Sequence, residues 1–197
     1  MKPSQKKKEF FYRKAKKEKY RARSAYKLIE LNKKYKLIKP GDIVLDCGAA
    51  PGSWSQVALD IVDKTGFVLA VDVLPVAPLQ GPFKFLLADL NKKTTINKIK
   101  KSLPRKADIV MSDAAPEFSG IKERDAGLTL QLNKKILNIT KEILKPKGNF
   151  ICKSFQSSEL NGFIDEVKQI FKLVKKSKPR ASIKKSPEIY IIAKNKN

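Results

Sequence analysis

Residues 44–54 read Val44-Leu45-Asp46-Cys47-Gly48-Ala49-Ala50-Pro51-Gly52-Ser53-Trp54, and this stretch decides the fold class. An apolar strand breaks into small residues and resumes as a helix. Small side chains at Gly48, Ala49, Ala50 and Gly52 let a ligand approach the backbone, and the first amides of the following helix offer hydrogen-bond donors. The glycine spacing is not Gly-x-Gly-x-x-Gly, so a dinucleotide pyrophosphate is not the natural occupant. A strand-to-helix turn of purely structural purpose is the alternative at this point.

Outward from this turn the chain alternates between two periodicities. Short runs rich in Val, Ile, Leu and Phe predict strands at 42–46, 67–73, 83–88, 108–112, 149–153, 171–177 and 189–193. Between them, helical spacing covers 54–62, 95–102, 125–144 and 158–171, the third with Leu128, Leu132, Ile136, Ile139 and Ile143 along one side. An earlier helix starts after Ser24, a candidate N-cap, and Pro40-Gly41 ends that run. Continuous apolar strands separated by amphipathic helices imply an α/β fold whose mostly parallel sheet is covered on both faces. Ligands of such sheets gather at the carboxyl ends of the strands, where strand order reverses.

At 197 residues and 42% hydrophobic, the chain is long enough for one full core. No apolar run approaches the ~20 residues needed to cross a bilayer, and no apolar stretch follows the basic start as in a secretory signal. The expectation is a soluble monomer without a membrane partner. Cys47 and Cys152 lie far apart and histidine is absent, which leaves no zinc site and no disulfide framework. No metal is therefore expected, and buried thiols are the plain reading of both cysteines.

Forty-three Lys and Arg oppose 19 Asp and Glu, a formal charge of +24. A field of that strength attracts a polyphosphate, and nucleic acid is the expected partner. The charge is uneven: residues 1–23 hold eleven Lys and Arg against Glu9 and Glu18. A second run comprises Lys172, Lys175, Lys176, Lys178, Arg180, Lys184 and Lys185, with no acid among them. Residues 1–20 accordingly read as a basic RNA-binding arm ahead of a single domain at 21–197, with Phe10, Phe11, Tyr12 and Tyr20 placed either to stack on bases or to pack on that domain.

Four acids stand at or just beyond strand ends: Asp46, Asp72, Asp89 and Asp113. Asp72, after the second strand, suits a ribose diol, and Asp89 suits an adenine amino group. Each alone is equally well read as a turn-stabilising or capping acid; together they favour a nucleoside-bearing cofactor. Trp54 is either core or a cofactor wall. Beyond the fourth strand, Ser112-Asp113-Ala114-Ala115-Pro116 lacks the paired prolines and aromatic of adenine amino-methylases. Glu117, following Pro116, also leaves no Pro-Cys pair of the kind used by cytosine C5 methylases. Two lysines stand out by context: Lys27 in Arg23-Ser24-Ala25-Tyr26-Lys27-Leu28, and Lys153 at the end of an apolar strand in Ile151-Cys152-Lys153-Ser154-Phe155. Glu188 opens the last strand in Pro187-Glu188-Ile189-Tyr190.

With these residues in place, the chain resembles the FtsJ-type 2′-O-ribose RNA methyltransferases, whose signature is a Lys-Asp-Lys-Glu tetrad. Lys27, Asp113, Lys153 and Glu188 match it in order and context, and the likeness runs over residues 20–194. Ser53 departs from the glycine common before the tryptophan, and Glu117 from the usual loop. The resemblance implies a Rossmann-like S-adenosylmethionine-dependent methyltransferase fold with seven strands, the last antiparallel. It implies a cofactor held by Asp46, Gly48, Ala49, Pro51, Gly52, Ser53, Trp54, Asp72, Asp89 and Asp113. The subgroup it points to is the large-subunit ribosomal RNA uridine methyltransferases of bacterial and organellar type, active in ribosome biogenesis in the cytoplasm, a nucleolus or an organelle. A transfer RNA methyltransferase and a non-catalytic ribosome-assembly protein are the alternatives; a nicotinamide oxidoreductase is set aside by the glycine spacing.

The implied chemistry is a displacement. A sugar hydroxyl is a poor nucleophile at neutral pH, so an enzyme must align it with the methyl carbon and take its proton. The expectation is Lys153 as base, Asp113 as its orienting partner, Lys27 as positioner of ribose or phosphate, and Glu188 as accessory orienter. An ordinary amine is almost fully charged at neutral pH. Burial, the Lys27 ammonium and the sulfonium disfavour a second cation, whereas Asp113 and Glu188 act the other way.

Overall fold

A computed structural model describes residues 3–116, 119–183 and 186–197. Glu117, Lys184 and Lys185 lie outside the described residues. The order is α1 (Pro3–Lys17), α2 (Ala25–Tyr35), β1 (Ile43–Cys47), α3 (Ser53–Val62), β2 (Phe67–Asp72), β3 (Phe83–Leu87), α4 (Thr94–Ser102), β4 (Ala107–Ser112), α5 (Lys122–Ile143), β5 (Leu144–Phe155), α6 (Leu160–Lys168), β6 (Phe171–Ser177) and β7 (Glu188–Lys196). The strands form one sheet in the order β3-β2-β1-β4-β5-β7-β6. All neighbours are parallel except β7, which runs against both β5 and β6.

Alternation in the strands sends side chains to two cores. Leu45, Cys47, Val110, Phe150 and Cys152 pack under α5 and α6, while Val44, Ile109, Met111 and Ile151 pack under α2 and α3. Central strands buried on both faces explain the unbroken apolar runs. Phe150 is fully buried and stacks on Phe171 at 6.0 Å between centroids; truncating such a ring to alanine costs about 3–5 kcal/mol. Strand order reverses between β1 and β4, and the crevice opens there at the strands' carboxyl ends.

Four local expectations are corrected. Ser24 does not cap α2 with its side chain; its hydroxyl bonds the Ser53 hydroxyl at 2.7 Å instead. The same helix ends at Tyr35, well before Pro40, because Lys36 turns left-handed and the Asn32 side chain accepts the amides of Leu37 and Ile38, each at 2.8 Å. The fifth strand starts at Leu144, directly after α5, and skips register past a proline and lysines before pairing again at Asn149. The helix expected at 158–171 is shorter, Leu160–Lys168, since Phe171 enters the core as the first residue of β6.

The basic start forms helix α1. Its inner face docks: Ala15 is buried with Tyr26 and Ala181, Phe11 packs on Tyr26 at 5.4 Å, and the Tyr26 hydroxyl donates to Glu18 at 2.8 Å. Phe10 and Tyr12 stay 60% and 59% exposed. The aromatic set is thus divided between packing and solvent. No helix among the described residues is long and apolar enough to cross a membrane.

Candidate active site

Antiparallel pairing of β5 and β7 sets Lys153 opposite Tyr190 and Phe155 opposite Glu188. Side chains directly opposite share a face, and residues two apart in a strand share it too. Lys153, Glu188 and Tyr190 therefore stand on the face covered by α2, which presents Lys27. The Lys27 ammonium donates to Glu188 Oε2 at 2.7 Å. Lys153 Nζ lies 3.4 Å from Asp113 Oδ1 and also donates to the Asp113 backbone carbonyl. Both lysines are buried, with 6% of Lys27 and 8% of Lys153 exposed. Burial of charge on this scale is tolerated only with partners, and each ammonium has a carboxylate.

Supporting groups hold the four residues from behind. Tyr190 is fully buried, stacks on Trp54 at 5.8 Å and donates its hydroxyl to Asp113 Oδ1 at 2.7 Å. Burial first, and then the Asp113 charge, push its phenol well above the ordinary tyrosine value, so it stays a donor. Ser182 donates to Glu188 Oε1 at 2.6 Å. Burial alone raises the Glu188 carboxyl, yet Lys27 and the hydrogen bonds from Lys27 and Ser182 bring it below the usual glutamate range. From the opposite face of the sheet, Asn133 of α5 donates to the Lys153 carbonyl at 2.8 Å. Sequence reasoning missed Ser182 and Asn133 and left Tyr190 without a role; only Tyr190 carried a signal, its two-residue spacing from Glu188.

Asp113 also lines a cleft of about 630 Å³ between the strand ends and α5. Gly48, Asp72 and Asp89 line it as well, with Val73, Leu74 and Leu132 as apolar walls. The upper end of the α5 stripe, Leu128 and Leu132, faces this cleft, while Ile136, Ile139 and Ile143 enter the core. The volume falls in the range of small-molecule sites. Gly48 has φ +71° and a Cβ there would overlap the Ala114 side chain, so the backbone closes tightly against the β4 loop. Asp72 accepts the amides of Ala50 and Leu74, each at 2.8 Å. Asp89 is held below the usual aspartate range by hydrogen bonds from the Asn91 backbone and side chain.

Asp46 sits beneath the turn. Its Oδ2 accepts from Ser55 at 2.6 Å, while Oδ1 is buried without a partner among the described residues. Burial pushes the carboxyl up to about 7, against the Ser55 hydrogen bond and with help from Asp113 and Asp72. Asp46 is 1% exposed and is not among the residues that line the cleft, so it underlies the glycine turn rather than forming the cleft wall.

The remaining turn residues face elsewhere. Trp54 is buried against Tyr190 and donates its Nε1 to the Ser24 carbonyl at 3.0 Å; it is a core residue joining α3 to α2. Ser53 is buried on Ser24, which accounts for a serine where the resembling family favours glycine. Ala49 packs with Ala70 and Val76, and Pro51 is exposed. Gly52 has φ +101°, and a Cβ there would meet Arg21 at 2.7 Å. The Arg21 guanidinium bridges the Pro51 and Pro78 carbonyls at 3.0 and 2.9 Å, a clamp that sequence reading did not foresee. Both cysteines are free and buried, and burial raises their thiols well above the ordinary range. Among the described residues, no group of three or more His, Cys, Asp or Glu is placed to hold a metal ion.

Against this geometry stand three comparisons. The FtsJ-like methyltransferase profile matches residues 20–196. The ribosomal RNA large subunit methyltransferase E of Methanothermobacter thermautotrophicus is 44% identical over 193 residues, covering 98% of this chain and 92% of the relative. That relative is archaeal, where the resemblance pointed to bacterial and organellar enzymes. A solved Plasmodium falciparum protein named as a ribosomal RNA methyltransferase is similar with a TM-score of 0.80 and 31% identity, covering 90% of this chain and 98% of that one. Human methyltransferase-like protein 13, solved with SAH, matches in fold alone, with a TM-score of 0.59 at 18% identity over 87% of this chain and 79% of that one.

Proposed function

This chain belongs to the FtsJ-like methyltransferase family, and from that premise we propose that it methylates a ribose 2′-hydroxyl in large-subunit ribosomal RNA, a uridine being the expected nucleotide. The observation that carries the reading is the pair of buried ion pairs, Lys27 with Glu188 and Lys153 with Asp113, at the rim of a cleft that Asp113 shares.

S-adenosylmethionine supplies an electrophilic methyl group when bound. Gly48, Asp72 and Asp89 line the cleft and would hold it, through the close backbone and the two strand-end acids, with Asp46 buried beneath the turn. Ala49, Pro51, Gly52, Ser53 and Trp54 shape the turn from behind. Asp113 stands where the cleft meets the tetrad and fixes Lys153 Nζ. As a neutral amine held by Asp113, Lys153 would accept the proton that the sugar hydroxyl loses. Lys27, held by Glu188, positions the ribose or its phosphate. No residue of the tetrad becomes covalently attached, in keeping with two thiols that burial keeps protonated.

RNA is held by charge. The exposed face of α1 presents Lys8, Arg13, Lys16 and Lys17 together with Phe10 and Tyr12, and the helix docks beside Tyr26, the neighbour of Lys27. Phosphates meet the cations and unpaired bases stack on the rings. Residues 1–20 are thus the RNA-binding arm and 21–197 the catalytic domain of a monomer that works on cytoplasmic ribosomes.

The test is incubation with radiolabelled S-adenosylmethionine and unmodified large-subunit ribosomal RNA, free and in assembled subunits, followed by mapping of 2′-O-methyl marks. One ribose mark is expected, lost in Lys153→Ala while cofactor affinity stays within about twofold. A base-methyl product, or full turnover by Lys153→Ala, overturns the assignment; general base removal ordinarily costs at least ~10²-fold.

A further inference from the structure

We propose that Glu30 is a positioning residue for methyl transfer, acting through the β6–β7 loop on Glu188. Glu30 lies on α2 one turn after Lys27, so the two side chains point to neighbouring spots on one helix face. Lys27 holds Glu188 directly. Glu30 takes hold of the loop that precedes Glu188: its two oxygens accept the Arg180 amide at 2.8 and 2.7 Å, and Oε2 also accepts the Ala181 amide at 3.3 Å. Hydrogen bonds from backbone N–H to a carboxylate are among the stronger kinds.

What this clamp controls is the next residue. Ser182 follows Ala181, closes a turn through its amide to the Pro179 carbonyl at 3.0 Å, and donates its buried hydroxyl to Glu188 Oε1 at 2.6 Å. Glu188 Oε2 carries Lys27. One oxygen of Glu188 is therefore referred to α2 directly and the other through a loop that Glu30 fastens to the same helix. The arrangement fixes the carboxylate plane from both sides, and with it the Lys27 ammonium. Arg23 adds a weak contact to the Ala181 carbonyl at 3.5 Å and the Ala181 side chain packs with Tyr26, so that Glu30 supplies the charge-assisted part of the anchor. Glu30 touches none of the reacting atoms; its influence travels along Arg180, Ala181, Ser182 and Glu188.

This inference rests on the tetrad reading, and the experiment separates the two. Single-turnover methylation of an unmodified large-subunit ribosomal RNA transcript is measured at saturating S-adenosylmethionine for wild type, Glu30→Gln, Ser182→Ala, the double variant and Lys153→Ala, with cofactor affinity by calorimetry and Tm in parallel. Glu30→Gln should lower the transfer rate roughly tenfold, the scale of a sub-ångström misplacement. Cofactor affinity should stay within about twofold, and the double variant should be no slower than the slower single one. An unchanged rate, losses that multiply in the double variant, or a cofactor affinity that falls in step with the rate would overturn the role given to Glu30. Wild type that leaves the transcript unmethylated, or Lys153→Ala that turns over normally, would instead overturn the reading beneath it.

Discussion

Lys153 and Tyr190 face each other across the β5–β7 pairing and converge on one oxygen, Asp113 Oδ1, at 3.4 Å from the ammonium and 2.7 Å from the phenol. The buried phenol orients the carboxylate, and the carboxylate orients the amine. Tyr190→Phe keeps the ring and its stacking on Trp54 but removes the donor. The transfer rate should fall roughly tenfold while cofactor affinity holds. Stopped-time assays on ribosomal RNA with calorimetry check this, and a wild-type rate would show that Asp113 needs no such partner.

Asp46 carries a pH signature. Its carboxyl rises to about 7 in the folded chain from 3.8, so between those values the folded state binds a proton that the unfolded state does not. Stability on this account is greatest below about 4, declines as pH rises to about 7 and is level above. At 1.36 kcal/mol per unit, the deficit at pH 8 is on the order of 4 kcal/mol. Asp46→Asn should raise Tm at pH 8, lose that advantage towards pH 4, and weaken S-adenosylmethionine binding. A lower Tm at pH 8 would contradict the buried, orphaned carboxylate.

On the proposed RNA-binding role of α1, stacking and charge can be separated by mutation. Lys16→Gln should weaken RNA binding and lower the slope of log affinity against log salt by about 0.7–0.9, one released counterion. Tyr12→Ser should weaken binding by roughly tenfold and leave the slope alone. Anisotropy titrations with a labelled single-stranded RNA at several salt concentrations read both. An unchanged slope in Lys16→Gln together with an unchanged affinity in Tyr12→Ser would remove α1 from the interface.

Gly48→Ala tests the turn. The left-handed φ of +71° and the overlap of a new Cβ with Ala114 act together, and a loss of about 2–4 kcal/mol is expected by denaturant titration. Cofactor binding should fail even where the variant is folded. A stable variant with normal affinity would mean that the β4 loop yields.

Much of this was legible along the chain. Seven strands lie where apolar runs placed them; the central ones, buried on both faces, leave a mark that needs no tertiary information, while the edge strands β3 and β6 are only partly buried. Lys27, Asp113, Lys153 and Glu188 were identifiable by motif, each sitting at a chain position that the fold's connectivity brings to one rim. Boundaries were less legible. The end of α2 depends on Asn32 capturing two amides, and the start of β5 on a register shift, both set by hydrogen bonds rather than by periodicity. Helix α1 was hidden because lysine-rich composition describes a solvated arm and a half-docked helix equally well.

The glycine turn, the alternation of strand and helix and the excess of positive charge determined the fold class and the expectation of a polyanionic partner, since backbone freedom, periodicity and net charge are local or additive properties. Which carboxylate meets which ammonium was decided only by the tertiary structure. Pairing Lys27 with Glu188 spans 161 residues, and it arises from the antiparallel register of β7, the packing of α2 on Trp54 and the hold of the loop at Ser182. These are distances between segments, and no chain-local property encodes them.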